Sequence, residues 1–493
     1  MTATSSQVRI RSFRVCLLAA VLCAVAGVSS CTQPAEPPAQ STAPAVTAET
    51  PPNVVFILAD TLRADQMSRS RNGQPLMPNL TAFAEKSWNY ERAWVQSTWT
   101  KPSMASMLTS LYPAVHNVLY SIDGELDGAD LPQTNVLPTV LETMAEYLKS
   151  NGYSTGAVQS NANLVPHFGF AQGFDTYEVK RYPKFQAGAI TEHATAALDA
   201  MTPPFFYYAH FMDTHAPYDA PASYIEQIGG LPELSDADKA LLADYGTTYR
   251  DRVLFEAGLT AERKYGNLSQ TGEAYIRAKY DACSRYLDDE VQRLITHIQT
   301  KYPNTIIVIT SDHGEELWEH GSIGHGKTVY EELTHVPLII HQPGAAAAKI
   351  GAPVETIDVL PTLSAMLNLP VRKEWQGQNI AALANALPED RAIFSSTKMS
   401  MSGSNRDLEA VLKGQHKLIV DNKAGSNSVF DLNRDPGERE SLTDAGPPTM
   451  ELLQILEAHR AENAKHPLRQ VNASTAGLTP EQEENIRALG YIE

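Results

Sequence analysis

Five short apolar runs punctuate the chain between residues 53 and 341. Four are continuous: 53–59 (NVVFILA), 205–211 (FFYYAHF), 305–311 (TIIVITS) and 336–341 (VPLIIH). Residues 154–160 (STGAVQS) are weaker and second in chain order, so 205–211 is the third run, 305–311 the fourth and 336–341 the fifth. A strand that is apolar on both sides is buried on both faces, which is the signature of a parallel sheet covered by helices. Helical periodicity fills the gaps. It runs over 141–151 up to the Gly152-Tyr153 turn, and as an amphipathic stretch over 275–298 that leads directly into the fourth strand. The pattern predicts an α/β fold with a mostly parallel central sheet flanked by helices.

Residues 220–300 read as helical overall, and the charge-rich part, 222–270, as an insertion capping a site. A Gly/Ala-rich turn breaks the pattern at 345–352. From about residue 390 the texture changes to short strands (392–394, 410–412, 416–420) and a helix from Met450. The expected organisation is a main domain over 51–385 and a small α+β subdomain with tail over 386–493. Ahead of them lies a targeting segment. Arg9, Arg11 and Arg14 precede an apolar run over 15–28 that is too short for a confident membrane span. It ends in Val28-Ser29-Ser30-Cys31, which resembles a bacterial lipobox. Residues 1–30 are thus expected to be a signal peptide and Cys31 the lipidated residue. The Pro/Ala/Thr-rich stretch to residue 50 reads as a flexible tether. The expected location is the bacterial cell envelope, on the periplasmic side or the cell surface, with the membrane engaged through the lipid.

Composition narrows the chemistry. The net charge is −18, which excludes a nucleic-acid partner, since that affinity comes from Lys and Arg neutralising phosphates. An acidic surface also repels anionic substrates, so an anion site needs local positive charge. After processing only Cys31 and Cys283 remain, so no internal disulfide is expected, and Cys283 reads as a small core residue.

The apolar runs end on acids and histidines. The first is followed by Asp60, the third by Asp213 and His215, the fourth by Asp312-His313. Sites in open parallel sheets lie outside the carboxyl ends of the strands. Carboxylates converging there need a cation or a partner. A single such Asp could equally cap the next helix; three strand ends with Asp and His point to a divalent ion, Zn, Mn, Ca or Mg. Residues 98–110 (TWTKPSMASMLTS) read as loop, then helix, with Thr100 at or near its start and Pro102 in the first turn. Thr100 could serve only as a cap. It could also be a nucleophile, its oxyanion stabilised by the helix N-terminus and a metal.

Several blocks in order resemble the sulfatase-like branch of the alkaline-phosphatase superfamily. They are NVVFILADTLRAD (53–65), Thr100-Lys101-Pro102-Ser103, HFMDTHAPY (210–218), SDHGEE (311–316) with EHG (319–321) and HGKTVYEE (325–332), VPL (336–338), IDVLPTL (357–363), FDLNRDPGE (430–438) and ALGY (488–491). The resemblance implies an alkaline-phosphatase-like fold. It assigns Asp60, Asp312, His313 and Thr100 to the metal, Thr100 as the nucleophile, and His215 to the ester or its leaving group. Asp213, His215 and His325 are alternatives for a second metal. His325 or Lys327 falls near the family's substrate-binding lysine, and Asn161 is a candidate substrate contact. The chain departs from the family pattern in three places. Thr100 stands where sulfatases carry the Cys or Ser that becomes formylglycine, which Thr cannot form. Met104 replaces the motif Arg, and Val158-Gln159-Ser160-Asn161 replaces a Gly-Lys-Trp-His block.

The function expected is metal-dependent hydrolysis of sulfuric or phosphoric esters (EC 3.1 class) on a small-molecule, glycan or lipid ester, with phosphoesters or phosphonates slightly favoured. A phospho-group transferase on an envelope substrate and a non-catalytic binding lipoprotein are the alternatives.

Overall fold

The computed structural model describes residues 50–121, 133–180, 185–243, 268–381, 388–401, 404–442, 446–470 and 475–477. The signal segment, Cys31, the tether, most of the charged stretch after residue 243 and the closing 488–491 block lie outside the described residues.

A nine-stranded mixed sheet forms the centre. Its strands are β1 (Asn53–Ala59), β2 (Trp88–Trp94), β3 (Ser154–Gln159), β4 (Thr176–Val179), β5 (Phe205–Phe211), β6 (Thr305–Thr310), β7 (His335–His341), β8 (Ala348–Ile350) and β9 (Val354–Glu355). The order is β8-β2-β7-β6-β1-β5-β3-β4, with β9 also on β2. Strand β1 lies parallel between β6 and β5, with Asn53 opposite Thr305 and Val54 opposite Phe206. Strand β7 is antiparallel to both β6 and β2, so the sheet is parallel at its heart and mixed at one side.

Each central strand splits its side chains between two cores. On β1, Val54, Phe56 and Leu58 enter one core, and Val55, Ile57 and Ala59 the other. Strand β6 divides in the same way, Ile306 and Val308 against Ile307 and Ile309. This is the period-two geometry of a strand with no wet face. Helices α2 (Thr100–Thr109), α3 (Met144–Ser150) and α6 (Val359–Met366) cover the first face; α1 (Pro78–Ala84), α4 (Ala187–Ala200) and α5 (Gln270–Lys301) cover the second. Ser269 caps α5, its hydroxyl accepting from the Gly272 amide, and Thr143 with Glu146 forms a capping box on α3.

The apolar-run strands appear at the places the pattern indicated. Strand β2 escaped it, because WNYERAW mixes charge with apolar residues. The 345–352 segment is not only a turn: its Ala348–Ile350 pairs in parallel with β2. There the backbone ladder of the sheet edge overrides a weak local preference.

The C-terminal part is an antiparallel sheet of β10 (Ile393–Met401), β11 (Ser404–Lys413), β12 (His416–Asp421) and β13 (Ser426–Asp431), backed by α7 (Gly446–Lys465). Buried charges stitch it to the main sheet. Arg391 pairs with Glu355 at 2.8 Å and Asp358 at 2.5 Å. Lys417 on β12 lies between Glu331 at 2.9 Å and Glu438 at 3.0 Å. Burial opposes its charge, and the two carboxylates outweigh burial and raise its pKa. Removing the ammonium leaves the buried Glu438 and the half-buried Glu331 without their cation. Lys417→Met should therefore cost about 3 to 5 kcal/mol in urea denaturation, and adding Glu331→Gln and Glu438→Gln should recover much of it. A loss below about 1 kcal/mol in the single variant would show the pair contributes nothing net.

Candidate active site

Parallel pairing of β1 and β6 sets their carboxyl ends side by side, so Asp60 faces Asp312 and His313. Among the described residues, one set of three or more potential metal ligands converges: Asp60, Asp312 and His313. Their ligand atoms lie within 4.8 Å of one another, and all three side chains are fully buried. Each group is turned so that one atom faces the others. Asp60 Oδ2 accepts from His210 Nε2 at 2.9 Å and Asn161 Nδ2 at 2.7 Å, while Oδ1 has no hydrogen-bond partner. Asp312 Oδ1 accepts the amides of Thr61 (3.3 Å) and His313 (3.0 Å), and its Oδ2 has none. His313 gives its Nδ1 proton to the Gly314 carbonyl at 2.9 Å, which puts the Nε2 lone pair inward. Orphaned carboxylate oxygens beside an imidazole lone pair, in a dry site, form a donor set that fits a divalent cation.

The electrostatics agree. Burial would raise Asp60, but its bond to His210 and the nearby imidazoles His215 and His313 hold it below the usual carboxylate range. Asp312 is pushed up to about 7 by burial and by the Asp60 charge. Burial lowers His313, His215 and His325, the last to about 4. Two adjacent buried acids with neutral imidazoles around them accommodate a cation more readily than an anion.

Thr100 is the first residue of α2, after Trp99 at the N-cap position, and no side chain caps this helix. Its Oγ1 lies 3.4 Å from His313 Nε2 and accepts from Asn161 Nδ2 at 3.2 Å, beside the Asp312 carboxylate. Ser103 Oγ fastens the helix to the metal loop by donating to the Asp312 carbonyl at 2.6 Å. The Asn161 amide is oriented by its own Oδ1, which accepts from the Asn163 amide at 2.8 Å. Its two Nδ2 hydrogens are thus committed to Asp60 and Thr100.

His215 gives its Nδ1 proton to the Ala216 carbonyl at 2.8 Å. Its ring lies 5.0 Å from that of His325, which is 4.4 Å from that of His313. His325 Nδ1 meets Glu315 Oε1 at 2.9 Å, and Tyr218 donates to Glu315 Oε2 at 2.9 Å. Asp213, a candidate for a second metal, instead sits at the start of α4, where its Oδ1 accepts the Ala187 amide at 3.0 Å. The Lys327 ammonium donates to Ser322 Oγ at 3.1 Å and the Ile323 carbonyl at 2.8 Å. Lys101 is buried with its Nζ 3.8 Å over the Phe168 ring, and burial drives its pKa well down. Met104 is packed in the core.

Three members of the site were not assigned from the sequence. His210 joins Asp60 to Tyr208, whose hydroxyl is 2.5 Å from its Nδ1. A histidine inside a fully buried strand was the available signal. Glu315 fixes His325, and burial raises it to about 7. Thr61 has φ +56°, and its buried Oγ1 has no hydrogen-bond partner. A β-branched residue held in the left-handed region next to Asp60 marks a site whose geometry is imposed by its surroundings.

The sulfatase family model matches residues 52–369. The chain is 25% identical over 446 residues to the uncharacterized sulfatase YidJ of Escherichia coli (strain K12), covering 80% of this chain and 83% of that one. It is 26% identical over 447 residues to an ulvan-active sulfatase of Formosa agariphila, covering 82% and 79%. Among solved structures, the phosphonate monoester hydrolase SpPMH of Silicibacter pomeroyi superposes with a TM-score of 0.65 at 20% identity, over 87% of this chain and 99% of that one. The matched span contains the strand-end acids, the Thr100 helix and the SDHGEE loop. The chain belongs to the sulfatase family.

Proposed function

We propose that this protein is a metal-dependent hydrolase of sulfuric or phosphoric esters with Thr100 as its nucleophile, and that phosphoester or phosphonate turnover exceeds sulfate-ester turnover. One observation carries the reading: the Thr100 hydroxyl lies at a helix start against Asp312, His313 and Asn161, beside the Asp60–Asp312–His313 donor set. A divalent ion held by those three residues would stabilise negative charge on the ester oxygens and on the attacking oxygen. The rest is done by the chain. The Thr100 hydroxyl, held by Asn161 Nδ2, turns an oxygen lone pair to the incoming group. The bond from Oγ1 to sulfur or phosphorus forms as the bond to the alcohol oxygen breaks. Water carries off the proton that Thr100 loses. His215, whose Nδ1 proton is held by the Ala216 carbonyl, takes a proton from water on Nε2 and gives it to the departing alcohol oxygen. Water then cleaves the Thr100 ester and restores the hydroxyl. The N-terminal end of α2, where Thr100 stands, favours negative charge on the reacting group.

The preference for phosphorus rests on the single hydroxyl of Thr100. A formylglycine diol can expel sulfate by collapse of its second hydroxyl; a Thr ester must be broken by water at the bound group. The more highly charged phosphoryl group gains more from a cation at that step. The positive charge must come largely from the ion. Lys101 is driven toward its neutral form, and Lys327 is engaged by Ser322 and Ile323. The fold shared with a phosphonate monoester hydrolase can accommodate such chemistry. Glycan esters such as those named for the ulvan-active relative are the natural sulfate-side candidates.

Five outcomes are expected. Dialysis against a chelator should abolish turnover, and one of Zn²⁺, Mn²⁺, Ca²⁺ or Mg²⁺ should restore it. Asp312→Ala should lower bound metal, measured by elemental analysis, from near one equivalent to a small fraction. Undiminished activity in fully demetallated protein would sink the reading. Thr100→Ala should reduce turnover at least 10³-fold, the order expected for loss of a covalent nucleophile. In a side-by-side assay of aryl sulfate, phosphate monoester, phosphodiester and phosphonate, a phospho-substrate should be fastest; a faster aryl sulfate reverses the preference. Cys31→Ala should move the protein from the membrane pellet to the soluble fraction, as expected for a lipoprotein held by its acyl chains. Among the described residues no helix is long and apolar enough to cross a membrane. A variant that still pellets contradicts the anchor.

A further inference from the structure

His210 stands inside β5, a strand buried at every position, where an imidazole withdrawn from water needs well-placed hydrogen-bond partners. Both of its nitrogens have one. Nε2 faces Asp60 Oδ2 at 2.9 Å, and Nδ1 lies 2.5 Å from the Tyr208 hydroxyl. A carboxylate oxygen can only accept, so Nε2 carries the proton and Nδ1 accepts the one from the phenol. Tyr208 and His210 are two residues apart on a strand and so share a face. Tyr208 is held in turn, its ring stacked on Phe56 of β1 with centroids 5.8 Å apart. The same strand and the turn after it fix the Asp60 backbone. Its amide donates to the Phe211 carbonyl at 2.8 Å, and its carbonyl accepts from Thr214 Oγ1.

The consequence lies in which oxygen of Asp60 is left. His210 Nε2 and Asn161 Nδ2 both donate to Oδ2. Oδ1 has no hydrogen-bond partner and lies 3.9 Å from His313 Nε2. A carboxylate free to rotate about its Cβ–Cγ bond could offer a cation either oxygen or both. The bonds to Oδ2 remove that freedom before an ion arrives, and such outer hydrogen bonds set the strength of a metal site. Asn161 divides its amide between Asp60 and Thr100, whereas the Nε2 proton of His210 goes to Asp60. We infer that His210 and Tyr208 are positioning residues for the metal. Tyr208 orients His210, and His210 fixes Asp60 as a one-oxygen ligand, so the affinity of the site depends on a phenol two hydrogen bonds away from Asp60. This rests on the reading that Asp60, Asp312 and His313 hold a divalent ion.

The test measures metal binding instead of turnover. Full-length protein stripped with a chelator is titrated calorimetrically with Zn²⁺ and, separately, with Mn²⁺. Affinity should fall about tenfold in Tyr208→Phe and about a hundredfold in His210→Met, the range for losing a group that supports a metal ligand. His210→Gln, which can place an N–H near the Nε2 position, should lie between wild type and His210→Met. Adding Tyr208→Phe to His210→Met should cost nothing further, since the effect of the phenol passes through the imidazole. Tyr207→Phe is the matched control. It removes a neighbouring buried hydroxyl that has no hydrogen-bond partner and whose ring lies in the opposite core, and it should bind as wild type does. Urea denaturation of the metal-free forms shows which variants are folded, and Tyr208→Phe, which loses one oxygen atom, decides the matter if His210→Met does not fold. Wild-type affinity in Tyr208→Phe, an equal loss in Tyr207→Phe, or additive losses in the double variant overturn the inference and leave the metal site standing. A wild type that binds neither ion overturns the metal reading itself and the inference with it.

Discussion

Two carboxylates, Asp60 and Asp312, are buried against each other at the end of the central sheet, and the surrounding structure is arranged around that conflict. Like charges in a dry site repel strongly, and neither can retreat to water. The backbone pairing of β1 with β6 leaves no choice about their proximity, since both follow strands locked in register. The neighbours resolve the conflict in one direction. His210 and Asn161 occupy one Asp60 oxygen, and the Thr61 and His313 amides occupy one Asp312 oxygen. The remaining oxygens, together with His313 Nε2, form the donor set for a cation.

The proposed nucleophile depends on the same arrangement. Thr100 has no intrinsic acidity to exploit, so the proposed reactivity must come from its surroundings. Ser103 ties its helix to the Asp312 backbone, and Asn161 couples Thr100 to Asp60 through one amide group. A change at Asn161 would thus disturb the Asp60 carboxylate and the Thr100 hydroxyl together.

Support reaches the site from the C-terminal sheet as well. Lys417 holds Glu331 at the start of a short helix, Glu331–Thr334. That same turn backs the loop that carries Asp312 and His313, where the Gly314 amide donates to the Leu333 carbonyl at 2.9 Å. A Cβ on Gly314 would lie 1.9 Å from the Glu332 carbonyl oxygen, so the loop can approach the helix this closely only with glycine at that position. The buried charges at the seam therefore serve the geometry of His313 as well as the attachment of the sheet.

The sequence by itself determined the central strands, because a run such as NVVFILA has no solvent-tolerant face and can only be buried on both sides. It also determined that acids and histidines gather at one edge, since they follow those strands directly. Thr100 was legible as the start of a helix, and the family blocks made it a nucleophile candidate. Other features depended on contacts between residues far apart in the chain. Strand β2 and the Ala348–Ile350 segment of β8 carry weak local signals and are strands because a sheet edge offers them hydrogen bonds. Asp213 and Asp312 look alike in sequence, each following a buried strand. Asp213 meets the amide of a helix start, whereas Asp312 meets another carboxylate 252 positions away at Asp60. Spacing along the chain cannot distinguish those two surroundings, because a carboxylate's role is set by what lies across from it in space.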